Sequence, residues 1–380
     1  VGMSGISAVP HQIRVRTQKH NRLHVVHLAT PWVERFYVTD APGDEGSPES
    51  LAEDVGEFLE STGSRVAAMN LFGPCSMRAP MLKLLQRYCG EVDWPFTWVD
   101  GSACVEHAPV ATQFYAVRGP MEPLFHLGHR VGSVIEDVDG RWVIIVGLEP
   151  TAEGSRAEQA RSLFERMDHA LRPLGMDFHN IVRTWLYCDR ILEWYDELNQ
   201  VRNAFFSERG VYDRLVPAST GVGTSNPSGK AIIGEALAFQ PRHEGVTIRS
   251  LPSPLQCPAP AYGSSFSRAV EIRLPGYDRL YISGTASINL DGTTAHVGDV
   301  EAQVALTMRV VRAILDSAGY TWADINRAIA YFKRPQDAGA WESWCKRSNV
   351  MDLPLVVVQA DICRDDLLFE IELDALRASV

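Results

Sequence analysis

Apolar positions dominate residues 141–147 and 181–187, while residues 158–171 bring them back every three or four places. The first pattern predicts buried strands and the second an amphipathic helix. The same succession returns about 144 residues later, with a strand at 279–284, a helix from Glu301 to Leu315 and a strand at 325–331. Gly175 and Gly319 each follow the helical pattern, where a C-cap favours a residue free to take positive φ. Each copy continues with a second helix, 194–206 or 338–346. Each then ends in strands, 230–239 in one copy, 355–359 and 369–371 in the other. Two helices among several strands per copy predict an α+β sandwich, with helices on one face of a mixed sheet. Residues 130–140, with two glycines, and residues 240–260, with Gly and Pro, read as joints.

The first 130 residues show the same ingredients less regularly. Residues 23–30 and 35–39 are strand-like, 50–61 form an amphipathic pattern after the cap signal Ser47-Pro48, and 81–89 suggest a second helix. These features predict an eroded third copy, giving domains at 1–130, 131–245 and 255–380. Three copies in one chain are expected to pack around a pseudo-threefold axis, with ligand sites in the clefts between them.

Composition narrows the function classes. The chain has 380 residues, 46% of them hydrophobic, and a net charge of -11. It can bury large cores, and its acidic balance argues against a nucleic-acid surface. Residues 1–7 lack a basic stretch leading into an apolar one, and no apolar run is long enough to span a bilayer, so a cytoplasmic protein without membrane contact is expected. The seven cysteines, at 75, 89, 104, 188, 257, 345 and 363, form no Cys-x-x-Cys pair and read as reduced thiols. His126 and His129 could share a helical face, but no third ligand stands at a telling spacing, so no metal is expected. Dinucleotide, Walker and nucleophile-elbow motifs are absent from the sequence, and no cofactor is expected.

The segment from Asp361 to Ala375 carries the sharpest chemical signal. Glu370 and Glu372 alternate with Phe369, Ile371 and Leu373, so a strand would turn both carboxylates to one face. That face is either solvent or a cleft. In a cleft, desolvation would raise the Glu370 pKa and keep it protonated, as a general acid requires.

Pro258-Ala-Pro-Ala-Tyr-Gly-Ser-Ser-Phe-Ser-Arg-Ala-Val270, then Ser283-Gly284, the Gly298-Asp299 turn and Glu-Ile-Glu at 370–372, resemble the RidA/YjgF superfamily, whose small domains trimerise with ligand sites at their interfaces. Together with Pro217-Ala-Ser-Thr-Gly-Val-Gly223 and Asp361-Ile-Cys-Arg-Asp-Asp-Leu-Leu-Phe-Glu370, the pattern over about 140–375 resembles the chorismatases, which split pyruvate from chorismate. The resemblance implies tandem RidA/YjgF-like, chorismate mutase-like domains arranged as a pseudo-threefold trimer in one chain, and three copies that satisfy the threefold interfaces within one chain are expected to leave it mainly a monomer. Simple RidA imine deaminases carry Pro-x-Arg, where this chain has Pro217-Ala-Ser and Pro354-Leu-Val, which disfavours imine hydrolysis.

The resemblance places chorismate between the central and C-terminal copies and implies that Glu370 protonates the enolpyruvyl methylene. Gly284 and Cys363 match the members that release 3-hydroxybenzoate, with 4-hydroxybenzoate as an accompanying product. A hydrolytic variant giving a dihydroxycyclohexadienoate, and a non-catalytic RidA-like binding protein, are the alternatives. The substrate is a dianion, so its pocket needs cations and hydrogen-bond donors. Arg183 and Tyr187 share a strand face, Tyr195 and Arg202 share a face of the following helix, and Thr220, Gly221 and Gly223 form a small-residue loop. Tyr262 and Arg268 precede a strand of the C-terminal copy. For the arginines the competing reading is an ion pair, for the loop a tight turn, and for Cys363 a small buried hydrophobe.

Overall fold

The computed structural model describes residues 13–40, 46–101 and 109–379; the N-terminal heptapeptide and Cys104 lie outside them. Three six-stranded sheets follow one another. The first contains β1 (Arg14–His20), β2 (Leu23–Ala29), β3 (Glu34–Asp40), α1 (Pro48–Thr62), β4 (Arg65–Phe72), α2 (Arg78–Cys89), β5 (Phe96–Val99) and β6 (Ala111–Arg118). The second contains β7 (Glu122–His126), β8 (His129–Glu136), β9 (Gly140–Leu148), α3 (Arg156–Leu171), β10 (Ile181–Cys188), α4 (Tyr195–Glu208), β11 (Ala218–Gly223) and β12 (Ile232–Pro241). The third contains β13 (Thr247–Leu251), β14 (Ala269–Leu274), β15 (Tyr277–Ala286), α5 (Val300–Ala318), β16 (Ile325–Phe332), α6 (Gly339–Ser348), β17 (Leu355–Gln359) and β18 (Phe369–Ala378).

Every sheet has the same strand order, 1-2-3-6-4-5 in chain order within the copy. The fold is therefore α+β and repeated three times, the N-terminal copy included. Each parallel pair, β4 with β5, β10 with β11 and β16 with β17, is joined through a helix, the crossover that parallel pairing requires. Local signals set the helix ends. Ser47 and Ser155 close capping boxes, Asp299 caps α5, and Gly319 ends it at φ +76°. Gly175, at φ +69°, caps the short turn that follows α3.

Several local readings change. Residues 130–140 are mostly strand β8 and a turn: Asp137 accepts from the backbone N–H of Asp139 and Gly140 at 2.9 and 3.0 Å, and its other oxygen pairs with buried Arg35. Residues 240–260 contain edge strand β13. His126 and His129 face each other across the β7–β8 hairpin, and Thr220 to Gly223 lie in strand β11 instead of a loop.

Helices cover one face of each sheet, for example Leu163, Phe164 and Met167 of α3 over the central copy. The opposite faces converge on one shared core that includes Tyr37, Trp142, Tyr187, Tyr281 and Tyr331. Burying such side chains contributes about 1.5–3 kcal/mol each, which holds the copies together. Edge strands stitch the seams: Gly147 N–H donates to Thr97 at 2.8 Å between the N-terminal and central copies. Ser219 N–H donates to Ser283 at 2.9 Å between the central and C-terminal copies. Gln113 reaches the Ala328 carbonyl at 2.8 Å and closes the ring. No helix among the described residues is long and apolar enough to cross a membrane.

Candidate active site

The cleft between the central and C-terminal copies is built on edge strand β11. Gly223 and Asp361 exchange backbone hydrogen bonds at 2.7 and 2.9 Å, and Gly284 N–H donates to Thr220 Oγ1 at 3.0 Å. These bonds leave a space of about 50 Å³ lined by residues of both copies, including Tyr195, Arg202, Gly221, Tyr262, Arg268, Gly284, Cys363 and Glu370. Eight residues expected at the ligand are thus brought together. Alternation along the strands removes the other three. Arg183 and Tyr187 share the face of Trp185 that looks toward the shared core, whereas Leu186 lines the cleft; Thr220 likewise points inward while Gly221 lines it.

Those inward residues organise the carboxylates. Glu372, fully buried, accepts from Arg183 at 2.9 Å and Trp185 Nε1 at 2.8 Å, and pairs with Arg327 at 2.8 Å. Burial alone would raise its pKa, but Arg327 and Arg183 outweigh that and hold it below the ordinary range, so it is ionised. Glu370 is 5% exposed and its carboxyl has no hydrogen-bond partner among the described residues. Burial, and then the charge of Glu372, raise its pKa to about 8 against the pull of Arg183 and Arg268. One strand face thus carries an ionised carboxylate and, two residues away, a carboxyl protonated at neutral pH, the separation that divides acid from anion in active sites.

The cations of the cleft are differently placed. Arg202 donates to Ser264 at 2.7 Å and Arg268 to the Cys257 carbonyl at 2.8 and 3.1 Å. Arg364, which the sequence reading did not single out, donates to the Gly292 carbonyl at 2.7 Å and lies 5.3 Å from the Tyr262 ring centre. None of the three pairs with an acidic side chain among the described residues, and the cleft's own carboxyl is neutral. Such a site suits an anion with more than one negative group. Tyr195 bonds Ser264 at 3.1 Å, and burial raises its phenol pKa. Burial and Glu370 push the Cys363 thiol up to about 12, so it is neither a thiolate nor a nucleophile at neutral pH. A Cβ on Gly284 would overlap the Glu370 carboxyl as it stands, so a larger residue there would displace that carboxyl.

The other two interfaces lack this chemistry. Counted from the bulge in each fourth strand, Tyr331, Tyr187 and Phe72 are equivalent, and the residues facing them are Glu370, Ile233 and Ala111. Glu372, Glu235 and Gln113 are equivalent in the same way, but Glu235 meets Asn70 at 2.5 Å in place of arginines, and burial raises it to about 7. No group of three or more metal-ligating side chains occurs among the described residues.

Residues 258–377 match the family model described as endoribonuclease L-PSP. A chorismatase from Streptomyces hygroscopicus is 27% identical over 252 residues, 60% of this chain and 70% of the relative. A 3-hydroxybenzoate synthase from the same organism is 26% identical over 261 residues, 62% and 74% of the two chains. A crystal structure of chorismatase aligns with a TM-score of 0.64 at 20% identity, over 90% of this chain and 98% of that one. The chain is similar to these chorismatases along most of its length and to the L-PSP family in its last third. The L-PSP match covers only the C-terminal copy, and the chorismatase structure aligns with the threefold arrangement as a whole.

The Glu372 cluster yields a stability prediction. Glu372→Gln removes the charge that two buried arginines share, and stranding a buried ion costs about 3 kcal/mol or more. Denaturant unfolding should show the midpoint falling accordingly; an unchanged midpoint would contradict the role assigned to the cluster.

Proposed function

We propose that this chain is a chorismatase that converts chorismate to pyruvate and 3-hydroxybenzoate. The observation that carries the reading is the neutral Glu370 carboxyl in a cleft whose arginines, Arg202, Arg268 and Arg364, lack acidic partners. In this reading the arginines bind the two substrate carboxylates, and Tyr195 and Tyr262 order the ring. Arg183, Tyr187 and Thr220 act from beneath the site, Arg183 and Thr220 by fixing Glu372 and the Gly284 strand. The trimer-like interfaces are satisfied within one chain, so the protein works as a monomer.

Glu370 gives its proton to the terminal methylene of the enolpyruvyl group, forming a C–H bond and an oxocarbenium ion that the resulting carboxylate stabilises. The ring C–O bond breaks and its electrons complete the ketone of pyruvate. The neighbouring ring hydroxyl oxygen bonds to the vacated carbon, and its proton returns to Glu370. The epoxide then opens and the ring aromatises to 3-hydroxybenzoate; opening in the other sense gives 4-hydroxybenzoate. No water is consumed. Leu186, Leu198, Ile288 and Leu367 line the small cleft and favour this water-free course over the hydrolytic one. Neutral Cys363 and Gly284 shape the space beside the ring.

Glu370→Gln is nearly isosteric but has no acidic proton. It should lower pyruvate release roughly a hundredfold or more while leaving the unfolding transition in place. Near wild-type turnover would remove Glu370 from the mechanism, and binding without turnover in the wild type would favour a RidA-like binding protein. The fate of water separates the two catalytic outcomes. With heavy-oxygen water as solvent, the 3-hydroxybenzoate phenol should remain unlabelled because its oxygen comes from the ring hydroxyl. A labelled phenol, or the diol as main product, would overturn the water-free route.

A further inference from the structure

The seam between the N-terminal and central copies contains a second cleft, about 250 Å³ in volume, at the place equivalent to the proposed active site. The equivalence is detailed. Gly147 N–H donates to Thr97 Oγ1 at 2.8 Å, as Gly284 N–H does to Thr220 Oγ1 at 3.0 Å. Ile233 stands where Glu370 stands in the other cleft, and is buried at 4% exposure. The acid is missing, but the cleft has not become an inert apolar seam.

Two of its buried donor atoms, Trp94 Nε1 and Arg130 Nε, lack acceptors. Trp94 is 8% exposed, lines the cleft, and its Nε1 has no hydrogen-bond partner. Arg130 also lines it; one nitrogen is held by Asp93 at 3.1 Å, while its buried Nε has no partner. The Arg78 side chain makes no hydrogen bond or ion pair among the described residues and lies 5.5 Å from the Phe96 ring centre. Trp94 Nε1 and Arg130 Nε, buried and unpartnered, cost free energy until an acceptor arrives, and half-buried Arg78 adds a positive charge beside them. Phe96 and Trp98 supply flat aromatic walls beside them. Glu149 also lines the cleft, and its carboxylate accepts from Ser228. That negative charge penalises a dianion such as chorismate more than a monoanion.

We propose that this cleft is a second, non-catalytic site that binds a small aromatic monocarboxylate, with Arg78 and Trp94 as the principal donors to the carboxylate. The hydroxybenzoate released by the proposed reaction is such an acid, and only that identification of the natural ligand rests on the chorismatase reading. The ligand would sit away from any group able to protonate it, so it would be held and not transformed. Occupancy would bridge the N-terminal and central copies at a seam separate from the catalytic one.

Benzoate itself serves as the probe, in equilibrium dialysis against the full chain. Arg268→Ala removes a cation from the catalytic cleft and should still bind about one benzoate per chain. Adding Arg78→Ala should then weaken binding about tenfold or more, the loss expected for a charge-assisted hydrogen bond. Trp94→Phe, which keeps the ring and removes the N–H, should weaken it in the same direction. Chorismate turnover by Arg78→Ala should match the wild type. Loss of all benzoate binding in Arg268→Ala, or undiminished binding in the Arg78→Ala double variant, would overturn the proposal. Failure of the wild-type chain to release pyruvate from chorismate would count against the catalytic reading alone, since the dialysis does not depend on it.

Discussion

Buried Glu372 is the point on which this molecule turns. Arg183 and Trp185 reach it from the central copy and Arg327 from its own, at 2.8–2.9 Å, with no solvent to screen the charges. The cluster fixes how two copies meet and also fills the space beneath the cleft with a permanent negative charge. Glu370 lies on the same strand face, without an arginine or a hydrogen bond of its own. Given one buried carboxylate already ionised and compensated, a second one nearby keeps its proton. A structural ion pair and a candidate catalytic acid are therefore parts of one electrostatic arrangement.

The threefold repetition makes that arrangement legible by contrast. The same sheet and strand order recur in all three copies, yet the acid position holds Glu370, Ile233 or Ala111. Where Arg183 supports Glu372, the equivalent residue of the N-terminal copy is Ala68, and Glu235 makes do with Asn70 and Thr97. The scaffold offers three similar seams, and side-chain chemistry distinguishes them: an acidic cleft ringed by unpaired arginines, a donor-rich aromatic cleft without an acid, and a seam closed by Gln113.

Much of this was readable in the sequence. The offset copies, their two helices and the capping glycines gave the α+β repeat, and Ser47-Pro48 marked the start of α1 in the eroded copy. The alternation around Glu370 left two faces open, solvent or cleft, and could not choose, because a charge buried by another copy and one facing water have the same pattern. The same ambiguity put Arg183 and Tyr187 at the ligand, since periodicity shows that residues share a face but not which face meets the cleft, and Thr220 was placed there as part of a loop that is strand β11. Arg364 was missed because a loop arginine flanked by acidic residues looks solvated. Residues 130–140 looked like a joint because Gly132, Asp137 and Gly140 are turn formers, whereas Gly132 is there to let β8 approach the Ile144 carbonyl of β9 and Asp137 is buried against Arg35.

The central claim is that Glu370 carries its proton at neutral pH in the folded chain. Isotope-edited infrared spectroscopy can follow its carboxyl directly, with Glu370→Gln assigning the band. The account predicts a protonated-carboxyl C=O band that persists at neutral pH and disappears with a midpoint near 8. A Glu370 that is already ionised at neutral pH, titrating in the range of an ordinary exposed glutamate, would contradict it.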